Sequence, residues 1–183
     1  SIRRCKRTFG GKDQRNERRG LYAVSPLSFL HLRKARASWY DEPFAVRGRK
    51  EMIRLEDVNE GNWRIPLAVS DEQKQYVASS TTILARAYAY RNARSRAYII
   101  YNDDTPIGMG LYHDEPEFEA YIFSELFIDA RYQGNGYGKE ATRMVLDAMK
   151  ADGKYNKVVL CYLEGNEAAK KLYEKFGFVE TDR

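Results

Sequence analysis

The chain has 183 residues, 43% of them hydrophobic, which suits one globular domain with a real core and is too short for two. No run of about 18 apolar residues is present, and the Arg-rich start lacks the apolar stretch of a secretion signal, so a cytoplasmic protein without a membrane partner is expected. Cys5 and Cys161 lie in different contexts and predict no disulfide framework; Cys161 is expected to be a buried strand residue.

The net charge of +5 divides unevenly along the chain. Residues 1–50 hold 14 Lys or Arg against 4 Asp or Glu, whereas residues 51–183 hold 17 against 22. An acidic body favours cationic small molecules and argues against a nucleic-acid partner, although the basic segment alone would favour one. Because residues 1–51 lack sustained periodicity, they are interpreted as a disordered or non-native extension, and residues 52–183 as the folded domain.

The first half of that domain shows strand and helix patterns in turn. A strand is expected over Ile53–Val58, followed by a polar loop that ends at Pro66. Apolar stripes then predict helices over Glu72–Ser79 and Thr82–Arg91. A hairpin and a third strand follow, at Ala97–Tyr101, Ile107–Tyr112 and Ala120–Ile128.

The second half changes to a strand, a glycine loop and a helix that ends near Gly153. Lys157–Tyr162 reads as an apolar strand covered on both faces, and Asn166 is a helix N-cap residue. The fold class is therefore mixed α/β (α+β). A strand should begin at Phe178, and we expect the domain to lack its last strand, which would leave a sheet edge exposed.

The glycine loop is Gln133-Gly134-Asn135-Gly136-Tyr137-Gly138. A loop that passes directly from a strand into a helix directs backbone N–H groups and a positive dipole end at one spot, where anions bind. A nucleoside-triphosphate loop would need Ser or Thr after Lys139, and a dinucleotide fold would not place antiparallel hairpins first. Taken alone, the loop is either a phosphate site or a tight turn.

Two motifs together resemble a known family. The loop is similar to the Q/R-x-x-G-x-G/A signature of the GNAT acyltransferases, and Asn166-Glu167-Ala168-Ala169-Lys170-Lys171-Leu172-Tyr173-Glu174-Lys175-Phe176-Gly177-Phe178 resembles the family's N-x-x-A-x-x-L-Y-x-x-x-G-F segment. Both occur in the family's order, and the resemblance covers about residues 52–183. It implies the GNAT fold, with a mostly antiparallel sheet flanked by helices, and an N-acetyltransferase that uses acetyl-CoA and no metal.

The resemblance also implies roles for individual residues. The backbone of β-strand residues Leu126, Phe127 and Ile128 would bind the pantetheine arm, and Asn166 would contact the same arm. Tyr173 is similar to the family's acid, which protonates the departing thiolate; its structural alternative is an aromatic side chain on the inner face of a helix. The pyrophosphate would be held by the backbone of the loop and the residue after it: Gln133, Gly134, Asn135, Gly136, Tyr137, Gly138 and Lys139.

A general base is harder to assign. Glu125 is the carboxylate nearest to the loop, and burial against Phe123 and Phe127 would raise its pKa. The register weakens this hypothesis, because polyamine-acetylating relatives place a carboxylate where this chain has Ser124, and neighbours on a strand point to opposite faces. Glu125 is thus either the base or a solvated strand residue, and His113 is a weaker alternative.

The acceptor is predicted from charge and from a wider resemblance. Residues around Asn62-Trp63 and Val69–Ala78 resemble the N-terminal region of bacterial spermine/spermidine acetyltransferases, so spermidine or spermine is the best single hypothesis. An aminoglycoside, a protein lysine or α-amine, and a non-catalytic CoA-binding module remain alternatives, and a homodimer is left open. An acidic turn would either collect the cationic amine or serve solubility; its residues are Asp114, Glu115, Glu117 and Glu119.

Overall fold

The computed structural model describes residues 21–24 and 52–181, and its centre is a twisted sheet. Seven strands of the described ranges follow the order β2-β3-β4-β5-β6-β1-β7, with every pair antiparallel except β5–β6. This confirms the expected mixed, mostly antiparallel sheet. The strands are β1 Leu21–Val24, β2 Ile53–Asp57, β3 Arg96–Asn102, β4 Thr105–Glu115, β5 Ala120–Ile128, β6 Val158–Cys161 and β7 Val179–Thr181; the α-helices are α1 Ser80–Ala89, α2 Tyr137–Asp152 and α3 Glu167–Glu174.

The hairpin between β3 and β4 is tighter than its sequence suggests. Asp103 and Asp104 alone form the turn, and Asp103 has a φ of 51°, a left-handed conformation that aspartate tolerates. Strand β4 therefore starts at Thr105 and includes Pro106. The proline is accommodated because the register shifts there, between Ile100 and Tyr101 of the partner strand.

Two apolar clusters fix the helices to the sheet. Helix α2 packs the fully buried Val145 and Met149 against Tyr121 and Phe123 of β5. Helix α1 packs Ile83 against β4 and Phe127. The end of β5 thus lies between the two clusters, where it can present backbone to a ligand. None of the helices in the described ranges is long and apolar enough to cross a membrane.

Two local predictions were wrong. Residues 72–79 do not form an α-helix: a 3₁₀ turn at Asp71–Gln73 is followed by turns, because Ser79 adopts an extended conformation and caps α1 by accepting the Thr82 N–H at 3.2 Å. Cys161 is exposed rather than buried, since the apolar run is covered only over Val158–Leu160.

The segment before residue 52 contributes a strand that was not expected, and the described sheet ends on β7. Leu21–Val24 form strand β1, which lies between β6 and β7 and pairs with both. These four residues therefore lie within the sheet, while the interpretation of residues 1–51 as an extension stays a prediction and the rest of that segment lies outside the described ranges. Helix α2 ends at Gly153, with a φ of 69°, as predicted.

Candidate active site

The glycine loop lies where β5 ends and α2 begins. Gly134 and Gly136 both have a φ of 82°, a conformation that favours glycine, and a Cβ built on either would meet nothing within 4 Å. Gly136 is the N-cap residue of α2, so the first N–H groups of a 16-residue helix face the same region. The loop therefore combines a positive helix end with open space, which fits a pyrophosphate.

Asp129 anchors the start of this loop. Its buried carboxylate accepts hydrogen bonds from the Ala68 N–H at 3.0 Å, the Arg131 N–H at 3.0 Å and the Arg131 side chain at 2.8 Å. Hydrogen bonding to Arg131 is the main cause that lowers the pKa of Asp129 to about 2. Sequence analysis missed this residue, although an Asp directly after a buried strand is a common turn-capping signal.

Two side chains of the loop hold its shape through hydrogen bonds. Gln133 donates to the Ile128 carbonyl at 2.7 Å and exchanges hydrogen bonds with Gln73, at 2.9 and 3.1 Å. Asn135 donates to the carbonyls of Tyr132 and Gln133, at 3.1 and 3.2 Å. These bonds hold the loop to β5 and to the segment before α1.

A cleft of about 370 Å³ runs from this loop to α3. It is lined by every residue assigned to the cofactor from sequence except Asn135, and by Tyr173. The structure thus brings the two sequence motifs into one site. A third wall comes from the segment before α1, for which the sequence predicted no cofactor contact: Val69, Gln73, Tyr76 and Val77.

Asn166 and Tyr173 belong to the α3 side of the cleft. Asn166 caps the helix, its side-chain oxygen accepting the Ala169 N–H at 3.2 Å. The Tyr173 ring packs edge-on between Phe123 and Phe178, with centroid distances of 6.2 and 5.7 Å. Burial chiefly raises the pKa of the Tyr173 phenol above its ordinary value, and the charge of Glu125 adds to the rise. The hydroxyl therefore keeps its proton at neutral pH.

A β-bulge in β5 decides where Glu125 lies. Leu111 pairs with Glu125 and Tyr112 with Phe123, so Ser124 is the extra residue. Phe123 and Leu126 contact the α2 cluster, while Phe127 contacts the α1 cluster. Strict alternation from Phe123 would have placed Glu125 toward α2; the bulge turns it toward α1 instead.

On that face Glu125 forms an ion pair with Arg86 of α1, and the Glu125 side chain is 14% exposed. The sequence left Glu125 as either a base buried against apolar side chains or a solvated residue, and it gave no sign of this cationic partner. Arg86 lies 39 positions earlier in the chain, so no local spacing signals the contact. Glu125 is nonetheless close enough to Tyr173 for its charge to act on the phenol.

The structure does not bring the acidic turn to the cleft. Asp114 is buried, and its carboxylate accepts from Lys154 at 2.5 Å and Arg94 at 3.4 Å. Glu115, Glu117 and Glu119 surround a 3₁₀ turn at the far end of the β4–β5 hairpin. The six steps along β5 from Ala120 to Leu126 separate that turn from the cofactor residues by roughly 20 Å.

His113 is placed against Tyr90, with stacked rings 4.3 Å apart, and its Nδ1 lies 2.9 Å from the Asp114 carbonyl. Burial lowers the pKa of His113. It therefore packs as a neutral side chain beside α1. The described ranges hold no group of three or more His, Cys, Asp or Glu side chains arranged for a metal ion.

The family model of the acetyltransferase (GNAT) family matches residues 53–178, and the chain therefore belongs to this family. The match confirms the predicted fold, an N-acetyltransferase and acetyl-CoA as its acyl donor. A curated relative, the spermine/spermidine N(1)-acetyltransferase of Bacillus subtilis strain 168, is 28% identical over 120 residues. That alignment covers 62% of this chain and 78% of the relative.

Two solved structures share the fold. Spermidine N-acetyltransferase from Vibrio cholerae, in complex with CoA and spermine, superimposes with a TM-score of 0.58 at 21% identity, covering 70% of this chain and 82% of that one. A GNAT family acetyltransferase from Elizabethkingia anophelis with acetyl-CoA bound gives a TM-score of 0.53 at 22% identity, covering 71% and 78%.

Proposed function

We propose that the protein transfers an acetyl group from acetyl-CoA to a primary amine of a small cation, with spermidine or spermine as the best candidates. One observation carries the proposal: the two sequence motifs and Tyr173 line one cleft, and the charge of the partly buried Glu125 acts on the Tyr173 phenol. A carboxylate suits an ammonium acceptor, and a protonated phenol suits a leaving thiolate.

The residues of the cleft fit the cofactor. The open left-handed glycines and the start of α2 suit the pyrophosphate, and Lys139 adds a cation at the same wall. The Asn166 side-chain oxygen is used by the helix cap, so its amide N–H groups are left for a carbonyl of the pantetheine arm. Bound acetyl-CoA supplies an activated acyl thioester.

The two candidate catalytic groups would move protons in opposite directions. Glu125 would take a proton from the acceptor ammonium, directly or through water, and so expose the nitrogen lone pair. Tyr173 would donate its proton to the sulfur as the carbon–sulfur bond breaks. It would then take up the proton that the new amide nitrogen releases. The products are an N-acetylated amine, a thiol and one proton, which Glu125 would release to water.

Polyamines are favoured because of the overall charge of residues 51–183, which hold 22 acidic and 17 basic residues. The similarity to a spermine/spermidine acetyltransferase supports the same class. The acidic turn keeps a predicted role in this scheme. Its residues Glu115, Glu117 and Glu119 would attract cations at long range and would not form a binding pocket.

A thiol-release assay over a panel of amines tests the proposal. The panel contains spermidine, spermine, an aminoglycoside, a lysine-containing peptide and a peptide with a free α-amine. We expect acetyl-CoA turnover that requires spermidine or spermine. A higher kcat/KM for a peptide or the aminoglycoside would overturn the substrate class. Binding of CoA without turnover on any amine would overturn the enzyme activity itself.

A further inference from the structure

Asn102 is the last residue of β3 and stands directly before the two-residue turn into β4. Asparagine is common at the start of a turn, because its side-chain oxygen can accept the backbone N–H two residues further on. In Asn102 this oxygen, Oδ1, is buried and has no hydrogen-bond partner among the described residues. The Asn102 side chain therefore does not stabilise its own turn.

Another asparagine of the chain shows the usual arrangement. Asn59 lies just after β2, and its Oδ1 accepts the Gly61 N–H, two residues further on, at 2.8 Å. A buried oxygen without a partner costs free energy, and asparagine is also a poor strand former. Local stability thus accounts for Asn59 but gives no reason for Asn102.

The Asn102 amide is turned toward the glycine loop instead. Its Nδ2 donates to the Tyr137 hydroxyl at 3.0 Å, across 35 positions of the chain. Tyr137 is the first residue of α2, between Gly136 and Gly138, and it lines the cofactor cleft. The described residues that line the cleft do not include Asn102, so Asn102 can act on the site only through Tyr137.

The glycine loop benefits from an anchor at this end, because glycines lose more conformational freedom on ordering than other residues. The side chains of Gln133 and Asn135 hold the first part of the loop to nearby carbonyls. Tyr137 holds the last part: its ring packs on the cluster around Ile100, and Asn102 fixes its hydroxyl. A loop that is fixed before binding loses less entropy when the ligand binds, so this anchor favours affinity.

We propose that Asn102 is a positioning residue for the cofactor site, which fixes Tyr137 and the first turn of α2 for acetyl-CoA at the expense of its own turn. The first N–H groups of α2 begin at Tyr137, so fixing Tyr137 also fixes the direction of these groups. The inference rests on the proposed placement of the pyrophosphate at the glycine loop. Its consequence is that cofactor affinity depends on Asn102 and fold stability does not.

The test compares Asn102→Thr with the matched control Asn59→Thr in the full chain. Threonine is a better strand former than asparagine, and its side chain is too short to keep the bond to Tyr137. Asn102→Thr should weaken acetyl-CoA binding about 5-fold by calorimetry, as expected for one hydrogen bond, while the midpoint of urea unfolding stays the same or rises. Asn59→Thr should lower the midpoint and keep the affinity within about 2-fold. Unchanged affinity in Asn102→Thr, or a lower affinity together with a lower midpoint, would overturn the positioning role.

A second variant, Tyr137→Phe, shows whether the effect passes through the hydroxyl. It keeps the ring and removes the acceptor of the Asn102 bond. In this background Asn102→Thr should weaken acetyl-CoA binding by less than about 2-fold. In the wild-type background it should raise KM for acetyl-CoA and leave kcat unchanged. A loss of about 5-fold in both backgrounds would overturn the route through Tyr137.

Gly136→Val separates this inference from the placement on which it rests. A loss of acetyl-CoA affinity in Gly136→Val with none in Asn102→Thr would overturn the role of Asn102 alone. No loss in either variant would overturn the placement of the pyrophosphate as well. The binding measurements contain no amine, so their outcome does not depend on which acceptor the protein acetylates.

Discussion

The cofactor side and the acceptor side of the cleft differ in how local their construction is. The cofactor side is built from consecutive residues, β5, the loop Gln133–Gly138 and the start of α2, joined by α3 from one further motif. The proposed acceptor side is built from distant parts, with Glu125 on β5 paired to Arg86 on α1 across 39 positions. A local site is visible in the sequence, and a site formed by tertiary contacts is not.

Removing the Tyr173 hydroxyl tests the point where the two sides meet. Of the changes proposed here, it should lower catalytic activity the most. Tyr173→Phe keeps the ring contacts with Phe123 and Phe178 but loses the proton donor, so kcat should fall about 100-fold. The dissociation constant of CoA, measured by calorimetry, should stay within about 2-fold. Phe176→Leu, next to the same cluster, is a packing control that should spare kcat. An unchanged kcat in Tyr173→Phe would remove the acid role.

The cofactor side can be broken separately at Gly136. A Cβ there finds open space, so the cost of Gly136→Val comes from the left-handed backbone, about 1–2 kcal/mol, and from blocking the ligand. Acetyl-CoA should bind about 30-fold more weakly by calorimetry. Gly153→Val is the matched control, because Gly153 is also left-handed, at the opposite end of α2. Equal affinity losses in both variants would mean that the effect is general destabilisation.

The acceptor side is tested by Glu125→Gln. Loss of the carboxylate leaves the Arg86 guanidinium without its partner and removes the proton acceptor, so kcat/KM for spermidine should fall about 10-fold. The acidic limb of the pH–rate profile, which reports deprotonation of the base, should also shift. Glu119→Gln, at the far end of the hairpin, should leave both unchanged. A lower kcat/KM in Glu119→Gln together with an unchanged kcat/KM in Glu125→Gln would instead place the acceptor site at the acidic turn.

The smallest effect concerns stability rather than catalysis. The pKa of Asp129 is lowered to about 2 in the folded protein. The ionised carboxylate therefore stabilises the fold fully above the unfolded pKa near 3.8. This contribution to the free energy of unfolding is lost as the pH falls through about 2. Asp129→Asn should therefore reduce the free energy of unfolding by about 1–2 kcal/mol at pH 7. Denaturant titrations should show this difference narrowing between about pH 4 and pH 2. A constant difference over that range would contradict the assignment.

Particular residues show why the sequence predicted the cofactor side better than the acceptor side. Strand β5 was predicted with its observed ends, and Asn166 and Gly153 were predicted as the ends of their helices, because capping and strand patterns are local. The bulge at Ser124 left no local signal, yet it decides which face Glu125 occupies. The Arg86 pair and strand β1 depend on contacts between distant segments, which periodicity does not report.

The central claim is acetyl transfer to a small polycationic amine, and the initial rate of thiol release from acetyl-CoA as a function of spermidine concentration tests it most directly. We expect a saturable rate that is absent without amine, with Glu125→Gln reducing kcat/KM for spermidine about 10-fold. A rate that is independent of spermidine, or spermidine saturation unaffected by Glu125→Gln, would contradict the account.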